Sequence, residues 1–462
     1  MNLKKSLLFL CLLIFTGNAF AAFISIDKAR TVAKNLYYER INHFEEISFE
    51  NVIFDNEYLV EKSNHAVYYV FNMQNNQGFV LIAADDNVFP ILAYSFEGRM
   101  EQHKETVPPV EEFLINYQNE IVYIIEKQVI ATQEITETWN IYSSEDFEMQ
   151  TLQTVGPIIE TKWDQGFPYN SLCPGGSVTG CVATAMAQIM RYYKHPNKGT
   201  GTNSYYHSSY GWLSADFGAT TYNYANMPLS PSSANNDVAT LNFHCGVAVE
   251  MNYSPSGSAA STAYAPTPFK SNFGYSTTAS YESRDNYTDI QWKILLRAEH
   301  MNSRPVMYRG SGTGGHAFIC DGFQYPHHFH FNWGWGGSYD GYFYLTSLNP
   351  GSSYNFTTGQ GGILELYPDP SYATVSIQEE ETNGLLIYPN PSDGNVNLGF
   401  DHYVAEEVLI MIYDMNGRMI LAENINIEGF NYMMNIENIQ AGNYQIILKG
   451  EKLHLVETLI IK

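Results

Sequence analysis

The spacing of apolar and polar positions divides the chain into segments of different period. From Ser25, apolar residues at Ile26, Ala29, Val32, Ala33 and Leu36 recur at helical spacing, with Ser25 placed as the N-cap. Strand-like runs follow over 66–71, 78–82 and 91–94. After Pro108 and Pro109, residues Val110, Phe113, Leu114, Tyr117, Ile121, Ile124 and Ile125 trace one face of a second helix. These elements predict a compact α+β unit. It holds no cysteine, and its histidines His43, His65 and His103 lie far apart, so no nucleophile is expected there. The stretch 129–152 is polar, acidic and without a clear period, which predicts an exposed connector open to proteolysis and a processing site within it.

The two ends of the chain have patterns of their own. Lys4 and Lys5 precede an apolar run from Leu7 to Phe15, followed by Ala19, Phe20 and Ala21. This is the layout of a secretory signal, and the run is shorter than the roughly 20 apolar residues a spanning helix needs. Beyond Pro368 an acidic linker with Glu379, Glu380 and Glu381 leads into alternating segments, with Asn416 and Gly417 placed as a tight hairpin turn. A small all-β sandwich is predicted, without a catalytic constellation and suited to targeting or binding. The resulting division is a signal peptide over 1–21, an α+β unit over 22–150, a middle unit over 151–368, a linker over 369–383 and the β unit over 384–462.

Composition narrows the function classes. A chain of 462 residues with 45% hydrophobic and 16% charged residues is globular and long enough for about three domains. Its formal net charge of -24, with no basic stripe, excludes nucleic acid as an expected partner. Of five cysteines, Cys11 leaves with the signal. The remaining Cys173, Cys181, Cys245 and Cys320 are too few for a disulfide scaffold and show no CxxC pattern, so at least one thiol is free to react.

The candidate chemistry lies in two segments of the middle unit. In PGGSVTGCVATAMAQIMRYYKHP, a glycine-containing loop leads to Cys181, and good helix formers continue until Pro196. A thiol at a helix N-terminus is favoured as thiolate, although a buried structural cysteine fits this segment equally well. In GGHAFICDGFQYPHHFHFNWGWGG, His316 follows two glycines and opens a strand about 135 residues after Cys181, a separation that suits a Cys–His pair. Asn332 is placed to fix the imidazole tautomer, and Trp333 to shield that bond from water. The alternative readings are a satisfied core histidine and a strand end with its turn. His327, His328 and His330 lack a nearby carboxylate or further cysteine at ligand spacing, so no metal or other cofactor is expected. Cys320 and Asp321 are read as strand and turn residues.

At GCVATAMAQIM, GGHAF and NWGWGG the chain resembles the streptopain family of cysteine peptidases, over about 150–368 and weakly through the N-terminal unit. The resemblance implies a papain-like α+β endopeptidase preceded by an inhibitory propeptide. Cys181 would be the nucleophile, with His316 as general base and acid. Gln165, in WDQGFPYN, matches the family's oxyanion-hole glutamine, and Ser258 and Gly315 match positions that line the substrate cleft. The loop between Gln165 and Cys181 is shorter than in the family, and Arg309 stands where the family has Gln. A bulky apolar side chain at the second position before the cut is the implied preference. The last unit resembles the type A sorting domain of the Bacteroidota type IX secretion system, through YPNPSDG and ETLIIK. Together these imply a secreted zymogen whose partners are protein or peptide substrates, its own propeptide and the type IX machinery. The same fold without turnover, as an adhesin or inhibitor, is the rival reading, and acyl transfer to an amine is a third.

Overall fold

A computed structural model of the chain describes residues 23–102, 107–149, 154–310, 315–346, 348, 359–370, 385–392, 394–414, 419–436, 438–450 and 453–462. The expected signal, most of the linker with its three glutamates, and the Asn416–Gly417 turn lie outside them.

The chain opens with α1 (Ile26–Ile41), capped by the Ser25 side chain, which accepts from the Lys28 N–H. Then come β1 (Phe54–Lys62), β2 (His65–Met73), β3 (Phe79–Ala83), β4 (Ile91–Ser95), α2 (Pro108–Lys127) and α3 (Gln133–Tyr142). The middle of the chain forms β5 (Thr154–Val155), α4 (Cys181–Tyr193), β6 (Thr202–His207), β7 (Gly211–Asp216), α5 (Asn236–Ala248), α6 (Pro266–Ser271), β8 (Ser280–Ser283) and α7 (Asp289–Met301). It continues through β9 (Val306–Gly310), β10 (His316–Gln324), β11 (His328–Asn332), β12 (Gly341–Tyr344) and β13 (Gly361–Leu364). The last part is β14 (Leu385–Tyr388), β15 (Asn395–Asp414), β16 (Met419–Asn435), β17 (Gly442–Lys449) and β18 (His454–Ile461).

Two of these elements depart from the expected pattern. The connector over 129–152 contains α3, capped by Thr132, with Ile135, Trp139 and Tyr142 buried on one face. Its acidic residues point outward, so composition hides a helix whose three anchors are spaced four and three apart. The N-terminal unit also does not close on itself. One sheet runs β1-β2-β3-β4-β12-β11-β10-β9-β13-β8, with β5 on β10, so the first four strands continue directly into those of the middle unit. The junction is the antiparallel pairing of Tyr94 with Tyr342 and Ala93 with Phe343.

The two faces of this sheet carry different cores. Along β9 and β10, Val306, Tyr308, Phe318 and Cys320 belong to a core shared with α1, α2 and α3. The alternate positions Met307, Ala317 and Ile319 belong to a second core built around α4 and α5. Phe113 of α2 inserts into the first, with ring centroids 5.3 Å from Trp333, 5.4 Å from Phe331 and 6.0 Å from Phe318. The C-terminal strands form a separate sheet with their own core of residues such as Val396, Leu398, Ile410, Ile446 and Leu459. There β15 pairs with β14 near its start and with β17 near its end, across an irregularity between Gly399 and Val404. These long strands give a β-rich unit around that core.

Candidate active site

Cys181 is the first residue of α4, and Gly180 precedes it as N-cap with φ +85°. A Cβ on Gly180 would stand 2.7 Å from the Met251 side chain and 3.1 Å from the Ser258 carbonyl oxygen, so only glycine turns the loop into the helix here. Cys181 opens onto a cavity of about 150 Å³ lined also by Val182, the stretch 260–263, Arg309, Gly315 and Ala317. Gly315, with φ +64°, and Ala317 bracket His316, so the histidine's own strand end forms one wall. Gln165 is tied to the loop before Cys181 through its backbone, its carbonyl accepting from the Thr179 N–H at 3.0 Å. The short loop between Gln165 and Cys181 therefore brings the glutamine back beside the helix start.

Comparison with known proteins identifies this arrangement. Residues 163–343 match the Peptidase C10 family, 21–121 the Spi protease inhibitor family and 386–462 the Secretion system C-terminal sorting domain. Streptopain of Streptococcus pyogenes is 30% identical over 322 residues, which cover 64% of this chain and 77% of that protein. The chain belongs to the Peptidase C10 family. A Porphyromonas gingivalis protein named Thiol protease/hemagglutinin PrtT is 32% identical over 84% of the chain, which spans only 45% of that relative's length. A solved fragment of Prevotella intermedia prointerpain A, 33% identical, superposes with a TM-score of 0.56 over 68% of the chain and all of the fragment. The family's cysteine-peptidase unit, with its papain-like fold, is thus preceded by a propeptide-like region and followed by a β-rich sorting domain of the kind that marks export by type IX secretion.

The remaining site residues divide into those brought to the cavity and those held apart from it. His316 pairs in register with Gly310, and Ala317 with Arg309. Strand alternation places Ala317 and Arg309 on the Cys181 side of the sheet, and His316 on the side of Phe318 and α2. Among the described residues no hydrogen bond joins His316 to Cys181 or to Asn332. Asn332, expected to hold the imidazole, is engaged elsewhere. Its Nδ2 donates to the Thr161 carbonyl at 2.7 Å, and its Oδ1 accepts from Gln188 Nε2 at 3.1 Å and from the Gly334 N–H at 3.1 Å. Trp333 donates its Nε1–H to the Tyr339 carbonyl at 2.8 Å and is fully buried among aromatic rings. Ser258 does not reach the cavity with its hydroxyl, which donates to the Val178 carbonyl at 2.7 Å and so braces the loop before Cys181.

The protonation states follow from this separation. Burial pushes the Cys181 thiol up, and the backbone N–H groups of Ala317, Val182 and Cys181 itself pull it down by less. The helix-tip thiolate expected from sequence is therefore not the favoured form while no imidazolium stands beside the sulfur. Burial also lowers the His316 pKa, which favours the neutral ring. Cys173, Cys245 and Cys320 are buried and pushed upward by desolvation, Cys173 to about 12. The histidine cluster is spoken for: His327 contacts Glu134 and Lys293, His328 the Ile91 carbonyl, and His330 the Asp321 carboxylate. Asp321 is a buried β10 residue that also accepts from the Ile159 N–H at 2.8 Å, where a turn residue was expected.

Gln188 is a bridging residue that pattern reading missed. Two turns along α4 from Cys181, its Oε1 accepts from the Thr161 hydroxyl at 2.9 Å and the Trp163 N–H at 3.2 Å. With its bond to Asn332 it joins α4 to the segment carrying Gln165 and to the end of β11. The available signal was a lone amide inside the apolar run AMAQIM, since a buried polar group requires partners.

Proposed function

We propose that the chain is a secreted cysteine endopeptidase made as a zymogen, with Cys181 as nucleophile and His316 as its proton-transfer partner. The observation that carries this reading is Cys181 at the glycine-capped tip of α4, opening onto a cavity lined also by Gly315 and Ala317, the chain neighbours of His316. In the active form His316 takes the thiol proton and the sulfur attacks the scissile carbonyl carbon. The C–N bond breaks as His316 protonates the leaving amine, and a thioester remains. Water, deprotonated by His316, releases the acid and restores the thiol. The oxyanion would be held by the Cys181 N–H and the Gln165 side chain, with Asn332 and Trp333 supporting the histidine end of the site. Gly315 forms part of the substrate cleft. A bulky apolar residue at the second position before the cut is the preference that the family suggests.

The N-terminal unit, 22–150, is the intramolecular inhibitor of the peptidase unit over 151–368. The reading is supported by α2, which packs on the sheet face that carries His316. Glu112 lies 3.3 Å from where a Gly310 Cβ would be, opposite His316 in register, and Phe113 packs on Phe318 two residues further along. Departure of α2 would free the end of β10 to bring the imidazole to the thiol. The connector is the processing site, 369–383 is a linker, and 384–462 directs export through the type IX machinery. The test is Cys181→Ala. Hydrolysis of an unfolded protein is expected to fall to background with the unfolding midpoint unchanged, and full residual hydrolysis would rule out the assignment.

A further inference from the structure

The cavity beside Cys181 combines apolar surface with a single cation. Val182, Ala260 and Ala317 supply methyl groups, and Arg309 is the one charged group among its described lining residues. Arg309 is fixed by the sheet, paired with Ala317 on one side and Gly361 on the other. Its side chain extends toward the strand end, with Nη2 3.6 Å and Nε 3.8 Å from where a Cβ on Gly315 would be. The chain has 48 acidic residues for 24 basic ones. Even so, among the described residues no carboxylate lies within 4.0 Å of this guanidinium.

One acid of the N-terminal unit feels the charge of Arg309 from the opposite face of the sheet. Burial raises the pKa of Glu112, at the start of α2, and the charge of Arg309 opposes that rise only in part, while Glu112 Oε2 is buried and has no hydrogen-bond partner among the described residues. A half-buried guanidinium lining the cavity of Cys181, with no carboxylate beside it among the described residues, is built for one.

We propose that Arg309 is a specificity-determining residue that binds the carboxylate of an aspartate or glutamate side chain flanking the scissile bond. A glutamate side chain satisfies both parts of the cavity, its methylenes lying against Ala317 and Val182 and its carboxylate meeting the guanidinium. The apolar preference then belongs to a neighbouring substrate position.

This inference rests on the peptidase reading, and the test separates the two. The full chain, after processing, is assayed on peptide pairs that differ only in Glu against Gln at each of the three positions before and after the cut. Rates are normalised to titrated Cys181 thiol. At one position the Glu peptide is expected to show a kcat/KM about 10- to 100-fold higher than its Gln isostere, the range a charge-assisted hydrogen bond supports. Arg309→Gln should bring that ratio to about one, Arg309→Lys should retain part of it, and Arg309→Glu should bring it below one. These ratios hold whatever the overall rate of each variant, and unfolding midpoints identify any variant that has not folded. Equal cleavage of Glu and Gln peptides at every position, or a ratio that survives Arg309→Gln, overturns the role of Arg309 alone. Absence of Cys181-dependent cleavage of both members of every pair overturns the peptidase reading and this inference with it.

Discussion

The segments before and after the peptidase unit are attached in opposite ways. The N-terminal unit shares a sheet and a core with it, through β4 on β12 and Phe113 among Phe318, Phe331 and Trp333. The C-terminal unit has its own sheet and its own core. An inhibitor has to hold the catalytic strands in one arrangement, and shared hydrogen bonds and buried rings do that. A sorting signal needs only to be recognised, so an independent core suffices. On the proposed reading, latency is a property of packing on the sheet face behind His316.

The contrast can be broken most strongly at Phe113. Phe113→Ala should cost about 3–5 kcal/mol in chemical denaturation, because a buried ring is removed from an aromatic core. It should also raise the reactivity of Cys181 in the unprocessed chain, as the face behind His316 loosens. Next in size is Gln188→Ala, which leaves Thr161, Trp163 and Asn332 short of partners and should cost about 2–3 kcal/mol with a fall in kcat. Peptide kinetics and thermal unfolding measured together separate the two effects.

A smaller effect is expected from pH. Burial raises the Glu112 carboxyl from 4.5 to about 7 against the opposing pull of Arg309. The docked state thus binds this proton more tightly than the unfolded chain. Its contribution is fully present below about 4.5 and is lost as pH rises through 7. The unprocessed chain should be less stable at pH 8 than at pH 5, and Glu112→Gln should flatten that part of the profile by on the order of 1 kcal/mol once solvent screening is included. Smallest of all, deletion of 384–462 should leave the unfolding midpoint of the remaining chain unchanged in calorimetry. A large downward shift would contradict the independence of the C-terminal core.

Local signals were legible in the sequence wherever the chemistry is local. Gly180, Cys181 and the small residues after it specify a loop turning into a helix, and the glycines before His316 specify a strand opening at the cavity. The α3 helix was hidden because acidic neighbours obscured Ile135, Trp139 and Tyr142, although their spacing is helical. The pairing of β4 with β12 joins residues about 250 positions apart, and the Gln188–Asn332 bond joins residues 144 apart. Such contacts depend on which sheet edges and buried amides meet, which no local period encodes. The side of the sheet occupied by His316 belongs to the same class, because it is set by the β9–β10 register and by α2 behind it.

The most direct measurement is mass-spectrometric mapping of the epoxysuccinyl thiol reagent E-64 on the intact and the processed chain. The account predicts close to one label per molecule at Cys181 after processing, little on the intact chain, and none on the buried Cys173, Cys245 or Cys320. Equal labelling of both forms would contradict latency by packing, and labelling at any other cysteine would contradict the assignment of the nucleophile.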